Sequence, residues 1–424
     1  MIMREMKDSG ISWVGEIPKE WTIMPLYCFY SERKNKNIFG TENNLLSLSY
    51  GKVIRKDINT SEGLLPSNYN GYNIVEAGDI IIRPTDLQND KRSLRTGLSK
   101  ERGIITSAYI ALKPKNGINS RFYHYLLHTY DILKVFYNMG NGVRQGLNYD
   151  EFAKLMVYSP SDTEQQRIAE FLDRECGKID GLKADIQAQI DTLEQYKRSV
   201  ITEAVTHGLN PSAPMKDSKV WYGQIPSEWK ELKGKYVFKQ RNDRGNNVCL
   251  QLLSPTQKYG VIPQDKYEEL TGMNAVKLND STNYALLKTI HKGDYCISLR
   301  SFQGGFEYSE YEGVVSPAYQ VFYPIITIAD GYYKYLFKEK GFIDVMNSYT
   351  MSLRDGKNIA FDDFGDTFIP VPPLDEQQGI ADYLDNKCAE IEQIIADKKS
   401  QIETLDGYKK SLIYEYVTGK KEVG

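Results

Sequence analysis

Residues 164–172 read EQQRIAEFL and residues 376–384 read EQQGIADYL, one phrase written twice at an interval of 212 positions in a chain of 424. An interval of half the chain length marks an internal repeat, and such a repeat decides how the rest of the sequence is divided. From the two glutamates onward, EQQRIAEFLDRECGKIDGLKADIQAQIDTLEQYKRSVITEAVT and EQQGIADYLDNKCAEIEQIIADKKSQIETLDGYKKSLIYEYVT align without a gap, identical at roughly half their positions. Upstream, MKDSGISWVGEIPKEW from Met6 answers MKDSKVWYGQIPSEW from Met215 with one residue of slippage. Between these anchors only echoes remain. Gly78-Asp79 matches Gly293-Asp294, GIITSAYIAL from Gly103 matches GVVSPAYQVF from Gly313, and VRQGLNYDEF from Val143 matches LRDGKNIAFDDF from Leu353. The chain is two copies of one unit, each a divergent globular part followed by a well-matched helix.

The matched segments have helical periodicity. In the first, Ile168, Leu172, Cys176, Ile179, Leu182, Ile186, Ile190, Leu193, Tyr196 and Val200 recur at steps of three and four with no internal proline. In the second, Ile380, Leu384, Cys388, Ile391, Ile394, Ile402, Leu405, Tyr408 and Leu412 do the same. Ser161 or Thr163 can cap the first helix and Asp375 the second, and HGLNPSAP from His207 breaks the first. Two such stripes in one chain can cover each other as an antiparallel, pseudo-twofold pair, some 65–70 Å long at about 1.5 Å per residue. Packing of each helix on its own globular part, or between molecules, is the alternative.

The globular parts, residues 1–160 and 219–372, contain short β-prone runs such as NIVEAGDIIIRP and GVVSPAYQVFYP, punctuated by Gly, Pro and Asn, and each contains one helical stretch. The fold class is therefore α+β: two β-rich heads separated by long helices at 161–207 and 373–424, with a linker at 208–218. Composition fits two sizeable soluble cores, with 41% hydrophobic and 26% charged residues. No apolar run is long enough to span a membrane, and the amino terminus lacks a signal-peptide core. Five scattered cysteines without C-x-x-C suit a reducing cytoplasm and offer no zinc site. Cys176 and Cys388, on the apolar stripes, read as small core residues.

The net charge of −3 conceals a division. Residues 161–207 carry ten acidic and six basic side chains, and residues 373–424 carry eleven and seven, so each helix is −4 and the remainder is +5. The basic balance of the heads is compatible with DNA, although charge alone is weak support. Polar loops after the β runs supply the candidate contacts. In the first head these are Arg83, Lys91, Arg92 and Arg95 of RPTDLQNDKRSLRTG, then Arg144, Gln145 and Asn148 of NGVRQGLNYDEF. In the second they are Arg300 and Gln303 of LRSFQGG, then Arg354, Lys357 and Asn358 of SLRDGKNIAFDDF. Arginine can read guanine through two hydrogen bonds, Asn and Gln can read adenine, and lysine mostly meets phosphate. The shared R-x-G-x-N reads equally as a turn in which Asn caps the next element. The 31 tyrosines, mostly in the heads, suit a polar aromatic recognition surface or an ordinary core.

Catalytic signatures are missing. The sequence has no dinucleotide or phosphate-binding glycine motif and no Asn/Asp-Pro-Pro-aromatic motif of the kind that holds a flipped adenine. His124 and His128 have i, i+4 spacing but no intervening Glu and no third ligand, which favours a helix surface over a metal site. Asp86, Asp90 and Lys91 have no specific nuclease spacing.

A β-rich head, a proline-led EQQ-I-A-L helix, and both again resemble the specificity subunit of a type I restriction–modification system. The resemblance covers nearly the whole chain, and its most specific motifs are PPLDEQQGIADYL and the W-G-I-P-W phrases at 13–21 and 221–229. The first copy departs from Pro-Pro-Leu, reading SPSDTEQQRIA. The resemblance implies a non-catalytic, cytoplasmic subunit whose heads each read one half of a bipartite, asymmetric site on double-stranded DNA. It implies that the helices set the spacer and dock two modification subunits, which bring S-adenosylmethionine and methylate adenine N6. Restriction subunits using ATP and magnesium complete the expected assembly. A coiled-coil adaptor with protein-binding heads is the rival reading.

Overall fold

The computed structural model describes residues 4–59, 68–85, 87, 94–139, 146–220, 223–245, 250–273, 284–297, 305–349 and 359–423. The chain forms two compact units, residues 1–186 with 399–424 and residues 187–398. Each contains one head and half of each long helix.

In the first unit the chain runs through β1 (Met6–Asp8), β2 (Glu16–Pro18), β3 (Thr22–Pro25), β4 (Tyr30–Glu32), β5 (Leu46–Ser49), β6 (Lys52–Arg55), β7 (Asn73–Val75), β8 (Ile80–Ile82), β9 (Thr96–Leu98), β10 (Gly103–Ile105) and β11 (Ile110–Pro114). Helices α1 (Ser120–Ile132) and α2 (Tyr149–Phe152), strand β12 (Met156–Ser159) and the long helix α3 (Asp162–His207) follow. The main sheet is antiparallel in the order β4-β11-β8-β9, with the pairs β1-β2, β3-β12, β5-β6 and β7-β10 around it. Strand β8 is three isoleucines, all buried, because it is a central strand with both faces covered. One core gathers Trp21, Tyr30, Phe122, Tyr123, Tyr130 and Tyr158 with Leu172, Cys176 and Ile179 of α3, and a smaller one joins Leu46, Leu48, Val75, Ile81 and Ile105.

The second unit repeats this plan with β13 (Met215–Asp217), β14 (Gln224–Pro226), β15 (Lys230–Lys233), β16 (Phe238–Arg241), β17 (Leu253–Thr256), β18 (Gly260–Pro263), α4 (Gln264–Thr271), β19 (Lys288–Ile290), β20 (Tyr295–Ile297), β21 (Phe306–Tyr308), β22 (Gly313–Val315) and β23 (Gln320–Pro324). Helices α5 (Asp330–Leu336), α6 (Lys340–Ser348) and α7 (Phe361–Asp366), strand β24 (Phe368–Val371) and the long helix α8 (Leu374–Val417) complete the chain. Its main sheet, β16-β23-β20-β21, matches the first head's strand for strand. Strand β13 falls inside the stretch read as linker. The single helix expected over 330–349 is broken in two, and Glu339 caps the second piece by accepting from Phe342 N at 2.9 Å.

The Gly-Asp echo has a local cause. Gly78 and Gly293 both sit at φ +92°, open to glycine and strained for other residues. The aspartate that follows accepts from the backbone N–H three residues earlier, Glu76 at 2.8 Å and His291 at 2.9 Å. Each aspartate is also held by an arginine, Arg33 to Asp79 and Arg241 to Asp294. The turn survives where the loops around it have diverged.

The helix seam differs by one residue from the apolar reading. In each unit α3 and α8 run antiparallel. Asp180 meets Lys409 at 2.6 Å and Lys183 bridges Asp406 in the first unit, while Lys197 bridges Glu392 and Lys398 donates to Gln189 at 2.5 Å in the second. Leu172, Cys176, Ile179, Lys183, Ile186, Ile190, Leu193, Lys197, Val200 and Ala204 form a regular 4-3 repeat of buried or half-buried positions. Leu182 and Tyr196, expected in that seam, are exposed, as are Ile394 and Tyr408 of α8, where Ile395 is the buried residue. The lysines win because their methylene stems cover apolar surface while the ammonium reaches an acid on the opposite helix. Cys176 and Cys388 are buried, as read. Ser161 caps α3 by accepting from Glu164 N at 3.3 Å, whereas Asp375 lies inside the first turn of α8, where its charge favours the helix dipole without capping it.

Candidate nucleic-acid interface and the helix joints

The repeated EQQ phrase has a residue-by-residue explanation. Glu164 Oε2 accepts the indole N–H of Trp21 at 3.0 Å, and Glu376 Oε2 accepts that of Trp229 at 2.7 Å. Both indoles are buried, so each needs a partner, and a carboxylate supplies a strong one. The next residue, Gln165 or Gln377, is buried and donates back to the carbonyl of Pro160 (3.0 Å) or Pro372 (2.9 Å), fixing the turn into the helix. The second glutamine is exposed and bonds one turn on, Gln378 to Asp382 at 2.8 Å and Gln166 to Glu170 at 2.5 Å. Lys7 and Lys216, from the hairpins β1-β2 and β13-β14, donate to the carbonyls of Trp21 and Trp229.

The opposite helix ends on the same spot. At the end of α3, Gly208 (φ +75°) is so close that a Cβ would lie 2.6 Å from Glu376 Oε1 and 3.2 Å from Trp229 Cζ2. At the end of α8, Gly419 (φ +70°) would put its Cβ 2.5 Å from Pro18 Cγ and 2.9 Å from Trp21 Cη2. Each joint therefore combines the tryptophan that precedes β3 or β15, the start of one long helix and the end of the other. Sequence reasoning noticed these phrases without linking them; their joint retention in both copies was the available signal.

The described residues place three of the twelve candidate DNA contacts. Arg83 is exposed at the end of β8 and remains available. Arg95 is a correction: it is buried, its guanidinium donates to the carbonyls of Thr85 and Arg83, and its backbone N–H donates to Asp131 at 2.6 Å. A guanidinium used to satisfy loop carbonyls is not free to read a base. Asn148 caps α2, accepting from Glu151 N at 2.9 Å, which is the capping role the R-x-G-x-N pattern suggested. Lys91, Arg92, Arg144, Gln145, Arg300, Gln303, Arg354, Lys357 and Asn358 lie outside the described residues, as do Asp86 and Asp90. Many tyrosines are core rather than surface, Tyr30, Tyr123, Tyr130, Tyr158, Tyr295, Tyr332 and Tyr333 being fully buried.

His124 and His128, expected on a helix surface, are half-buried, with His124 Nε2 shut off from solvent. Their rings lie 6.2 Å apart, and desolvation lowers His124 to about 4 and His128 to about 3. Among the described residues no group of His, Cys, Asp and Glu is arranged to hold a metal, and no helix is long and apolar enough to cross a membrane.

Comparison with known proteins bears on all of this. The family profile described as type I restriction modification DNA specificity domain matches twice, over residues 52–192 and 225–404. A Methanocaldococcus jannaschii protein named as the specificity subunit of the type I restriction enzyme MjaX is 22% identical over 97% of this chain and 96% of its own. The MjaVIII specificity subunit of the same organism is 27% identical over 32% of this chain and 31% of its own. A chain from a solved structure concerning complex assembly and conformational transition of the type I R-M system covers 96% of this chain and 99% of its own, with a TM-score of 0.67 at 13% identity. That similarity extends the fold over both copies.

Proposed function

Since this chain belongs to the type I restriction modification DNA specificity family, we propose that its two heads each read one half of a bipartite, asymmetric DNA site for partner subunits that act on it. The observation that supports this is the distribution of likeness. The tryptophan–glutamate joints are the same in both units down to the accepting oxygen, while the loops around Arg83, Arg144, Arg300 and Arg354 differ. A chain that assembled identical sites would have no use for divergent loops on matched joints. Two unlike halves on one duplex would.

The seam suggests where the partners sit. Because Lys183 reaches Asp406 and Lys409 reaches Asp180, these bridges occupy one flank of the helix pair in the first unit. Heptad geometry then brings exposed Leu182 level with exposed Tyr408 on the other flank. By the same register, Tyr196 and Ile394 form the equivalent patch in the second unit. Two apolar patches of one design suit two copies of one partner, which we take to be modification subunits. These would carry S-adenosylmethionine and transfer methyl to adenine N6, with restriction subunits supplying ATP- and magnesium-dependent cleavage.

The test is to purify the chain alone and with its modification subunits, and to map methylated adenines on DNA. Methylation confined to one motif with two unrelated halves, and only with both components present, is expected. Methyl transfer by the chain alone, or a symmetric motif, would refute the proposal.

A further inference from the structure

Strands β9 and β21 carry the chain out of the first candidate loop of each head, 83–97 and 299–305. The two heads correspond here at a constant offset. Tyr125 and Tyr335, 210 positions apart, donate to Asp173 (2.9 Å) and Asp385 (2.7 Å), and these aspartates are repeat-equivalent on α3 and α8. At the same offset His128 corresponds to Lys338, and Gly97 of β9 to Glu307 of β21.

Three elements meet at these positions in each head. In the first, His128 Nδ1 lies 3.4 Å from Thr96 Oγ1 of β9, its ring stacks on His124, and a Cβ on Gly51 at the β5-β6 turn would be 4.0 Å from its Cε1. In the second, Lys338 after α5 donates to the Glu307 carboxylate at 2.5 Å and to the carbonyl of Gln257, beside the β17-β18 turn, at 3.4 Å. His124 Nε2 and Glu307 Oε2 are buried with no hydrogen-bond partner among the described residues. The same junction of loop strand, head helix and hairpin thus closes on a base in one head and on an acid in the other.

We propose that these junctions position the reading loops, with His128 and the Glu307–Lys338 pair as positioning residues, so that the two heads hold their DNA half-sites with opposite pH dependence. The inference rests on reading the heads as DNA-recognition domains. Among the described residues, the charged and titratable groups facing the histidines are each other, Lys100, and Lys409 and Lys410 of α8; those facing Glu307 are Lys338 and Cys296 of β20.

The signs follow from where each proton goes. Burial holds the histidines neutral, so between pH 6.5 and about 4 an opened first junction takes up protons that the closed one refuses. Acid therefore opens it. Burial pushes Glu307 up to about 7, so between pH 4.5 and 7 an opened second junction releases a proton that the closed one keeps. Alkali opens that one. From pH 5.5 to 7.5 the opening equilibrium should fall about tenfold per histidine in the first head and rise about twentyfold in the second, if opening exposes the groups fully.

Amide hydrogen exchange of the full chain at pH 5.5 and 7.5, corrected for intrinsic rates, reads β9 and β21 directly. Opposite shifts are expected, with Glu307→Gln flattening only the second and His128→Gln weakening only the first. Shifts of the same sign, or under twofold in both, would overturn the proposal. Binding of the complex with its modification subunits to duplexes carrying the mapped site, one half altered at a time, is the second arm. Discrimination at the first half should sharpen, and at the second relax, as pH rises. Opposite exchange with unmoved discrimination would end the positioning role and leave DNA recognition standing. Absence of sequence-specific binding at every pH would end both.

Discussion

Replacing Gly208 by alanine tests the joint between helix end and head. The residue sits at φ +75°, where a side chain costs roughly 1–2 kcal/mol. The new Cβ would lie 2.6 Å from Glu376 Oε1 and 3.2 Å from Trp229 Cζ2, both held by the indole–carboxylate bond. Overpacking of this kind adds about 1–3 kcal/mol, so Gly208→Ala should destabilise the second unit by about 2–5 kcal/mol. Gly419→Ala, with its Cβ 2.5 Å from Pro18 Cγ, should do the same to the first. Gly181→Ala and Gly407→Ala are the internal controls. Both glycines lie within the long helices with nothing within 4 Å of a built Cβ, so each change should stabilise by roughly 0.5–1 kcal/mol. Because two units need not unfold together, exchange rates of core amides around Trp21 and around Trp229 are the proper assay. If Gly208→Ala left the second unit within 0.5 kcal/mol of the parent, or weakened both units alike, the joint as described would be wrong.

Three further outcomes are expected. Lys183→Ile, which copies Ile395 of the other helix, should raise the stability of the first unit by up to about 1–2 kcal/mol in urea unfolding; a loss would put Lys183 outside the seam. Leu182→Glu with Tyr408→Glu changes two exposed residues, so the chain should fold normally and bind one modification subunit instead of two by light scattering; retention of two would remove that patch as the docking site. Inserting four helical residues after Gln189, matched by four after Lys399 so that both seams keep register, lengthens the pair by about 6 Å. If the helices are the ruler, methylation mapping should find the same half-sites with a spacer longer by one or two base pairs at about 3.4 Å each, and an unchanged spacer would dismiss that role.

Periodicity located α3 and the start of α8 to within a residue, because matched phrases are a direct record of shared packing, but α8 stops at Val417, short of the 424 expected. Periodicity misplaced the seam because counting apolar residues favours Leu182 and Tyr196, while the 4-3 spacing selects Lys183 and Lys197. A hydrophobicity count has no means of seeing that a lysine stem can be buried if an acid waits across the groove. Arg95 shows the converse. In sequence it is one more cation in a basic loop, and only the fold reveals the carbonyls of Arg83 and Thr85 that it satisfies. The tyrosines misled for a similar reason, since Tyr130 and Tyr333 are core rings whose hydroxyls end on the Met156 and Pro370 carbonyls. The heads themselves were legible only as a class, since short strands of three to five residues leave too little pattern to specify their pairing.

The joints have a consequence for heredity. Gly208, written by the first copy, seats on Trp229 and Glu376, written by the second, while Gly419 of the second copy seats on Pro18 and Trp21 of the first. A change at any of these six positions is therefore judged against residues encoded half a gene away, which holds the two copies to a common spelling. The candidate reading loops share no such common spelling between the copies. A lineage can rewrite what either head reads, or trade one head for a stranger's, and the inherited fastening will still accept it.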